Sequence, residues 1–350
     1  MAKAKRVRGI NFNGPAGEGI RLVLRTRFEE MYALPAAALD WSDPEGVHSM
    51  RVASRRLRSA LRDFTPYLRK SALRTSQKEI RSLADVLGEV RDQDVAIMAL
   101  EKTAAHVPKE VSAAVEHFIS RKKELREQAR SRLKSALRKN QLRALRSNFL
   151  SSVESATPIP KNSNQTAATA GITYLKMARS VILQRLRELE KLSGSLYRPF
   201  DVEPLHDMRI AAKRLRYAIE LFQEGWGRTM KAYAKRVARI QTALGELHDC
   251  DVWVETVGEE MLNARKIKQM DHAEGSEWLL NHFLRQRAKY LRQAFALWRE
   301  WEKDGLSEKL REDLHAESST QQSQPGNRDV SANDARELEA VVQSTATHNQ

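Results

Sequence analysis

Apolar residues recur along most of the chain at the three- and four-residue spacing of an α-helix, and strand-like alternation is almost absent. The segments between chain-breaking residues are rich in Leu, Ala, Arg, Glu and Lys, which favour helices. The pattern predicts an all-α protein with four helices in each half of the chain. The predicted helices cover residues 17–34, 45–64, 71–103, 109–148, 169–193, 204–224, 228–260 and 274–303.

Helix boundaries are marked by a few residues with strong local preferences. Pro44 and Pro204 suit the first turn of a helix, where the missing amide hydrogen costs nothing. Asp43 is a suitable N-cap in front of Pro44. Pro66 and Gly225 are expected to end the helices that begin at these prolines.

The chain contains an internal repeat. Val47–Phe64 aligns with Leu205–Phe222, with nine of 18 positions identical, and Leu87–Val95 aligns with Leu244–Val252, with six of nine identical. The two offsets are 158 and 157 residues. Because the offsets agree, the sequence indicates that a whole structural unit is duplicated.

The repeat and the composition together predict the domain organisation. Residues 1–14 form a basic N-terminal arm, and the two copies of the unit occupy residues 15–150 and 172–305. Residues 151–171 are rich in Ser, Thr, Asn and Ala and are interpreted as a linker. Residues 316–350 are polar and are expected to be a disordered tail.

The net charge of +15 is unevenly distributed. From Ala316 onward two arginines stand against five acids, a net of −3, so residues 1–315 carry about +18. Such a field attracts anions. Cys250 is the single cysteine, and no apolar run reaches the roughly 20 residues needed to span a bilayer, so a cytoplasmic protein without membrane insertion is expected.

The positive charge is concentrated on one face of the repeated helix. At about 100° per residue, the cations of Val47–Phe64 fall in one stripe opposite the apolar residues, and the second copy repeats this arrangement. Glu220 interrupts the second stripe where the first has an arginine. The candidate ligand-binding residues are His48, Arg51, Arg55, Arg58 and Arg62, their counterparts His206, Arg209, Lys213 and Arg216, and the flanking Arg56 and Arg214.

A stripe of charge is usually a solvated helix face, but such faces mix signs because like charges one turn apart repel. The absence of acids in the first stripe, and its repetition, favour binding of an anionic partner. His48 and His206 head the two stripes, where an imidazole can donate to a phosphate oxygen. Both are expected to contact the ligand, and mild acidification toward about pH 6.5 is expected to tighten binding.

The predicted third helices of the two halves supply three further cations in total. Lys78 and Lys235 occupy equivalent places before the second repeated block, and Arg239 lies nearby. All three are candidate ligand contacts.

The second repeated block carries two acidic pairs, Asp92 with Asp94 and Asp249 with Asp251. At i, i+2 the two side chains of a pair diverge on a helix. We expect these aspartates to neutralise or orient arginines of the stripe, or to cap a bend after Gly88 and Gly245. Metal binding by them is an open alternative.

These blocks resemble the CHAD family, the conserved histidine α-helical domain, over about residues 15–305. The resemblance is carried by His-x-x-Arg-x-x-x-Arg-Arg-Leu-Arg at His48–Arg58, by its copy at His206–Arg216 with Lys213 in place of one arginine, and by the two LGE-x-x-D-x-D-V blocks. It implies two pseudo-symmetric four-helix bundles, with a basic groove or pore that binds inorganic polyphosphate. It also implies association with polyphosphate granules. Since no β-rich segment is present, a stand-alone member is expected.

Two other functions compete with this interpretation. Nucleic acid would satisfy the same electrostatics, but aromatic residues do not interleave with the stripe and no DNA-binding signature is present. A metal-dependent phosphohydrolase could use His206–Asp207 or His248–Asp249, although neither pair is repeated in the first half. No nucleophile, acid–base pair or phosphate-binding loop stands out, so we expect a binding protein without catalysis and without a cofactor.

Overall fold

The computed structural model describes residues 4–105, 107–157, 171–227, 229–266 and 273–316. Within these ranges the protein is all-α, as predicted. The described residues as far as Asp313 belong to one compact unit. Within the described ranges, no helix is both long and apolar enough to cross a membrane.

The helices of the two halves follow similar orders. In the first half they are α1 (Ala16–Tyr32), α2 (Pro35–Ala38), α3 (Pro44–Phe64), α4 (Lys70–Ala104), α5 (Lys109–Ala136) and α6 (Lys139–Ala156). In the second half they are α7 (Tyr174–Leu192), α8 (Val202–Phe222), α9 (Thr229–Lys266), α10 (Ala273–Lys303) and α11 (Leu306–His315).

The starts of α3 and α8 agree with the sequence signals. The Asp43 side chain accepts a hydrogen bond from the Glu45 amide at 2.9 Å, and Pro44 is the first residue of α3. Pro204 lies in the first turn of α8. The helices end at Phe64 and Phe222, and short 3₁₀ turns that contain Pro66 and Gly225 follow.

One predicted helix is two helices. The pattern over 109–148 predicted a single element, but α5 ends at Ala136 and α6 begins at Lys139. Leu137 is buried at the break, and α6 folds back to pack on α1 and α4. No glycine or proline marks this break. We therefore attribute it to the packing of α6 on α1 and α4.

Two predicted boundary segments are partly structured. α6 runs into the predicted linker as far as Ala156, which is buried and accepts a hydrogen bond from the Arg69 amide. Residues 158–170 of that linker, and residues 317–350 of the predicted tail, lie outside the described residues. In the N-terminal arm, Phe12 is buried and packs edge-on against Tyr174, so this arm is part of the fold.

The buried faces of α3 and α8 are built from matching residues of the repeat. Met50, Leu57 and Phe64 are fully buried, as are Met208, Leu215 and Phe222. The rings of Phe64 and Phe222 meet edge-to-face with centroids 6.0 Å apart. Aligned positions of the repeat therefore contact each other, and the apolar faces leave the basic faces directed away from the core.

Candidate anion-binding site

Lys213 of α8 lies among cations that come from both repeated helices. Burial, followed by the positive charge of four arginines, lowers its pKa to about 7. Three of these arginines belong to α3, so the basic faces of α3 and α8 lie near each other. We call this group the cation cluster, and it consists of Arg51, Arg55, Arg62, Arg209 and Lys213.

Arg55 and its repeat counterpart Lys213 are the least compensated members of the cluster. Arg51 and Arg62 lie at ion-pair distance from Asp92 and Asp63, whereas among the described residues Arg55, Lys213 and Arg209 have no acidic side chain that close. Of these three, the pKa of Arg209 still responds to the nearby Asp249. The Arg55 guanidinium lies over the ring of Tyr217, with Cζ 5.4 Å from the ring centroid, and its buried Nε has no hydrogen-bond partner in the described part of the chain. The centre of the cluster therefore carries charge that the described residues leave uncompensated.

Arg51 and Arg209 are partly compensated by the first aspartate of each repeated block. Arg51 donates to Asp92 at 3.2 Å. Burial lowers the pKa of Arg209, and the nearby Asp249 opposes that shift. Burial likewise raises the pKa of Asp249, and Asp92 adds to this effect, so the two carboxylates also lie near each other.

The second aspartates of the blocks contact α5 in the first half and α10 in the second. Asp94 is buried and lies 3.6 Å from Arg126, and Asp251 accepts a hydrogen bond from Arg287. Asp92 therefore contacts an arginine of the stripe as expected, whereas Asp94 and Asp251 contact arginines of α5 and α10 that lie outside the stripes. Among the described residues, no three His, Cys, Asp or Glu side chains gather in a way that could hold a metal ion.

The outer parts of the two stripes differ in charge. Arg58 lies 3.8 Å from Asp85, and both side chains are largely exposed. Arg62 donates to Ser59 at 2.8 Å, and burial lowers its pKa to about 10. In the second half Arg216 donates to Glu220 at 2.7 Å, so the second stripe is locally neutral at this end.

The flanking arginines face glutamates of neighbouring helices. Arg56 lies 3.3 Å from Glu30 of α1, and Arg214 lies 3.9 Å from Glu188 of α7. These contacts join helices within each half and place the two guanidinium groups beside the cation cluster, not in it. Their predicted contact with a ligand stays a prediction.

The cations predicted on the third helix of each half are exposed to solvent. Lys78 precedes Asp92 by fourteen residues and therefore shares a face of α4 with it, but Lys78 is exposed. Lys235 is exposed at the equivalent place on α9. Arg239 is also exposed and lies 3.5 Å from Glu300.

The histidines have environments that the sequence did not reveal. His206 Nδ1 lies 3.1 Å from His248 Nδ1, while His48 lies near Arg91, which is the repeat counterpart of His248. Burial is the largest cause that lowers the pKa of both His48 and His206, and it lowers that of His248 to about 4. The lowered pKa of His48 and His206 works against a gain of charge by these side chains in the free protein. Their contact with the ligand and tighter binding on acidification stay predictions.

Three residues beside the cluster were not among the sequence-based candidates. Arg91 and His248 occupy equivalent positions of the second repeated block, and that equivalence was a usable signal. Tyr217 aligns with Ser59, so the repeat gave no indication of a shared role. Only the approach of α8 to α3 brings its ring to Arg55.

The fold and the cluster define a helical protein whose repeated basic helices meet around uncompensated positive charge. A family model for the CHAD domain matches residues 22–258, and the chain belongs to the CHAD family. This confirms the family resemblance found in the sequence. The CHAD family is associated with polyphosphate.

Two solved structures show the same fold. The crystal structure of the CHAD domain from the plant Ricinus communis superposes with a TM-score of 0.61 at 24% identity, covering 89% of this chain and 95% of that chain. PptA from Streptomyces chartreusis gives a TM-score of 0.60 at 14% identity, covering 82% of this chain and 100% of that chain. A search of curated proteins found no match.

Proposed function

We propose that this protein binds inorganic polyphosphate at the cation cluster between α3 and α8 and that it acts without catalysis. The observation that carries the proposal is the uncompensated pair Arg55 and Lys213, held among three further arginines. Like charges at such close quarters repel each other, and a bound polyanion would relieve that repulsion. Binding would place the protein at polyphosphate granules in the cytoplasm.

Polyphosphate suits the cluster for chemical reasons. It carries about one negative charge per phosphate and has no bases to be read, so a surface of cations is sufficient for recognition. Arginine can grip phosphate oxygens with two parallel hydrogen bonds. The association of the CHAD family with polyphosphate supports this ligand over nucleic acid, which remains the alternative.

The test is a titration of the purified protein with long-chain polyphosphate at two salt concentrations, with duplex DNA as competitor. We expect tight binding that survives excess DNA. Binding should weaken as salt rises, because the release of counterions from the polyanion favours binding less at high salt. The double variant R55A/K213A should bind at least about tenfold more weakly, since each lost charge-assisted contact contributes on the order of 1 kcal/mol.

The matched control is K139A/R143A, which removes the same charge from the exposed face of α6. Its affinity should stay close to that of the wild type. Equal losses in both double variants, or full competition by DNA, would show a general anion surface instead of a polyphosphate site. Release of orthophosphate during incubation with Mg²⁺ or Mn²⁺ would instead favour the phosphohydrolase alternative.

A further inference from the structure

We propose that Tyr217 of α8 is a positioning residue that holds Arg55 of α3 in place for a phosphate chain. One half of the repeat would then orient the central cation supplied by the other half. This inference rests on the proposed function, because it assigns a role to Tyr217 through Arg55 at the same site.

The geometry fits a cation–π contact. The Arg55 Cζ lies 5.4 Å from the centroid of the Tyr217 ring, and the Arg216 Cζ lies 5.8 Å from the same centroid. Both distances fall within the roughly 6 Å range at which the ring quadrupole attracts a guanidinium. Tyr217 is itself buried, with 8% exposure, so its ring is a fixed surface.

Most other cations of the stripes are held by polar partners. Arg51 donates to Asp92, Arg62 to Ser59, and Arg216 to Glu220. A carboxylate orients an arginine but also cancels its charge, and this weakens the attraction of the arginine for an anionic ligand. An aromatic ring orients the guanidinium and leaves its net charge intact, so Tyr217 can restrain Arg55 without competing with phosphate.

The differences between the two copies agree with this role. By the repeat alignment, Arg55 corresponds to Lys213, and Tyr217 corresponds to Ser59. The ring of the second copy therefore faces the planar guanidinium of the first copy, which stacks well. The first copy, at the position that corresponds to the ring, holds Ser59 and offers no such surface to the ammonium of Lys213. Among the described residues, no aromatic ring lies under Lys213.

The experiment is a double-mutant cycle on polyphosphate affinity with the full chain. Y217L should weaken binding by about 2- to 30-fold, the equivalent of about 0.5–2 kcal/mol for a cation–π contact. Y217F keeps the ring and should restore most of that loss. In an R55A background, Y217L should change affinity by less than about twofold, because the contact with Arg55 is already absent and Arg216, the other guanidinium on the ring, is still held by Glu220.

R58A is the matched background, because Arg58 lies in the same stripe but contacts Asp85. There Y217L should retain its full effect. R55K gives a second check that keeps the charge and loses the planar group. It should reduce the effect of Y217L on affinity, because an ammonium stacks less well on the ring than a guanidinium. Thermal unfolding of each variant reports any general damage to the fold, which would weaken binding equally in all backgrounds.

Two results would overturn the positioning role. Additive losses for Y217L and R55A would show that Tyr217 does not act through Arg55, and a Y217F defect as large as that of Y217L would assign the effect to the hydroxyl. If R55A itself leaves polyphosphate affinity unchanged, the proposed function fails. If R55A weakens binding while Y217L does not, the positioning role alone fails.

Discussion

Lys213 shows how a single residue can combine a cost to folding with a use in binding. Its ammonium is buried among arginines of α3 and α8, and its pKa falls to about 7. Near neutral pH a substantial fraction of this lysine is therefore uncharged in the free protein. A polyanion beside it would favour the charged form and raise its pKa again.

We predict that polyphosphate binding takes up a proton at Lys213. The free pKa is about 7 and the bound pKa is higher, so above pH 7 the complex holds more protons than the free protein. Affinity should then fall as pH rises from about 7 to 9, by up to about tenfold per pH unit. Calorimetry in buffers of different ionisation enthalpy would measure the proton count directly.

K213R is the matched variant, because arginine is the residue at this position in the first copy and stays charged over the whole window. It should bind polyphosphate with little proton uptake between pH 7 and 9. Unchanged proton uptake in K213R would assign the linkage to another group.

At the scale of elements, ion pairs on the flanks of the basic helices connect α3 to α1 and α8 to α7. In the first half Glu30 of α1 accepts hydrogen bonds from Arg27 and from Arg56 of α3. The second half repeats the set with Glu188, but there the acid is more exposed. The same arrangement of one glutamate and two arginines therefore occurs in both halves, and it is more exposed in the second.

The two copies give an internally controlled prediction of stability. E30Q removes the carboxylate that the largely buried Arg27 and Arg56 share and should lower the free energy of unfolding by about 3 kcal/mol. E188Q should cost less, about 1 kcal/mol, because water screens the more exposed Glu188 and Arg214, and the buried Arg185 keeps its contact with Asp63. Urea unfolding of both variants measures this difference, and equal losses would contradict the burial argument.

For the whole molecule, repulsion within the cation cluster lowers the free energy of unfolding. The same clustering places the cations together for an anionic ligand. α3 and α8 are held together by their apolar faces, including the contact of Phe64 with Phe222, in spite of the charges above them. Removing one buried charge should therefore stabilise the free protein and weaken its complex.

We predict that K213M raises the free energy of unfolding of the ligand-free protein by about 1–2 kcal/mol at pH 7. Methionine matches the length of the lysine stem and needs no counter-charge. The gain in melting temperature on adding polyphosphate should be smaller than in the wild type, because binding is weaker. Thermal unfolding with and without polyphosphate tests both parts, and a K213M protein that melts earlier without ligand would contradict them.

The sequence by itself determined the helical class, the repeat and the main cations. Helical period and composition are local properties, so they predicted α3, α8 and their caps closely. The alignment of His48–Arg58 with His206–Arg216 identified the basic faces, since a stripe of like charge is visible in one helix alone. The break at Leu137 could not be predicted in this way, because no local signal marks it.

Only the tertiary structure decided which cations keep their charge available. Arg55 and Arg51 look alike in the sequence, yet one lies on the ring of Tyr217 and the other contacts Asp92. The pKa of Lys213 and the contact between His206 and His248 likewise depend on helices distant in the chain. Burial and charge proximity are sums over neighbours in space, and the order of residues along the chain does not contain those distances.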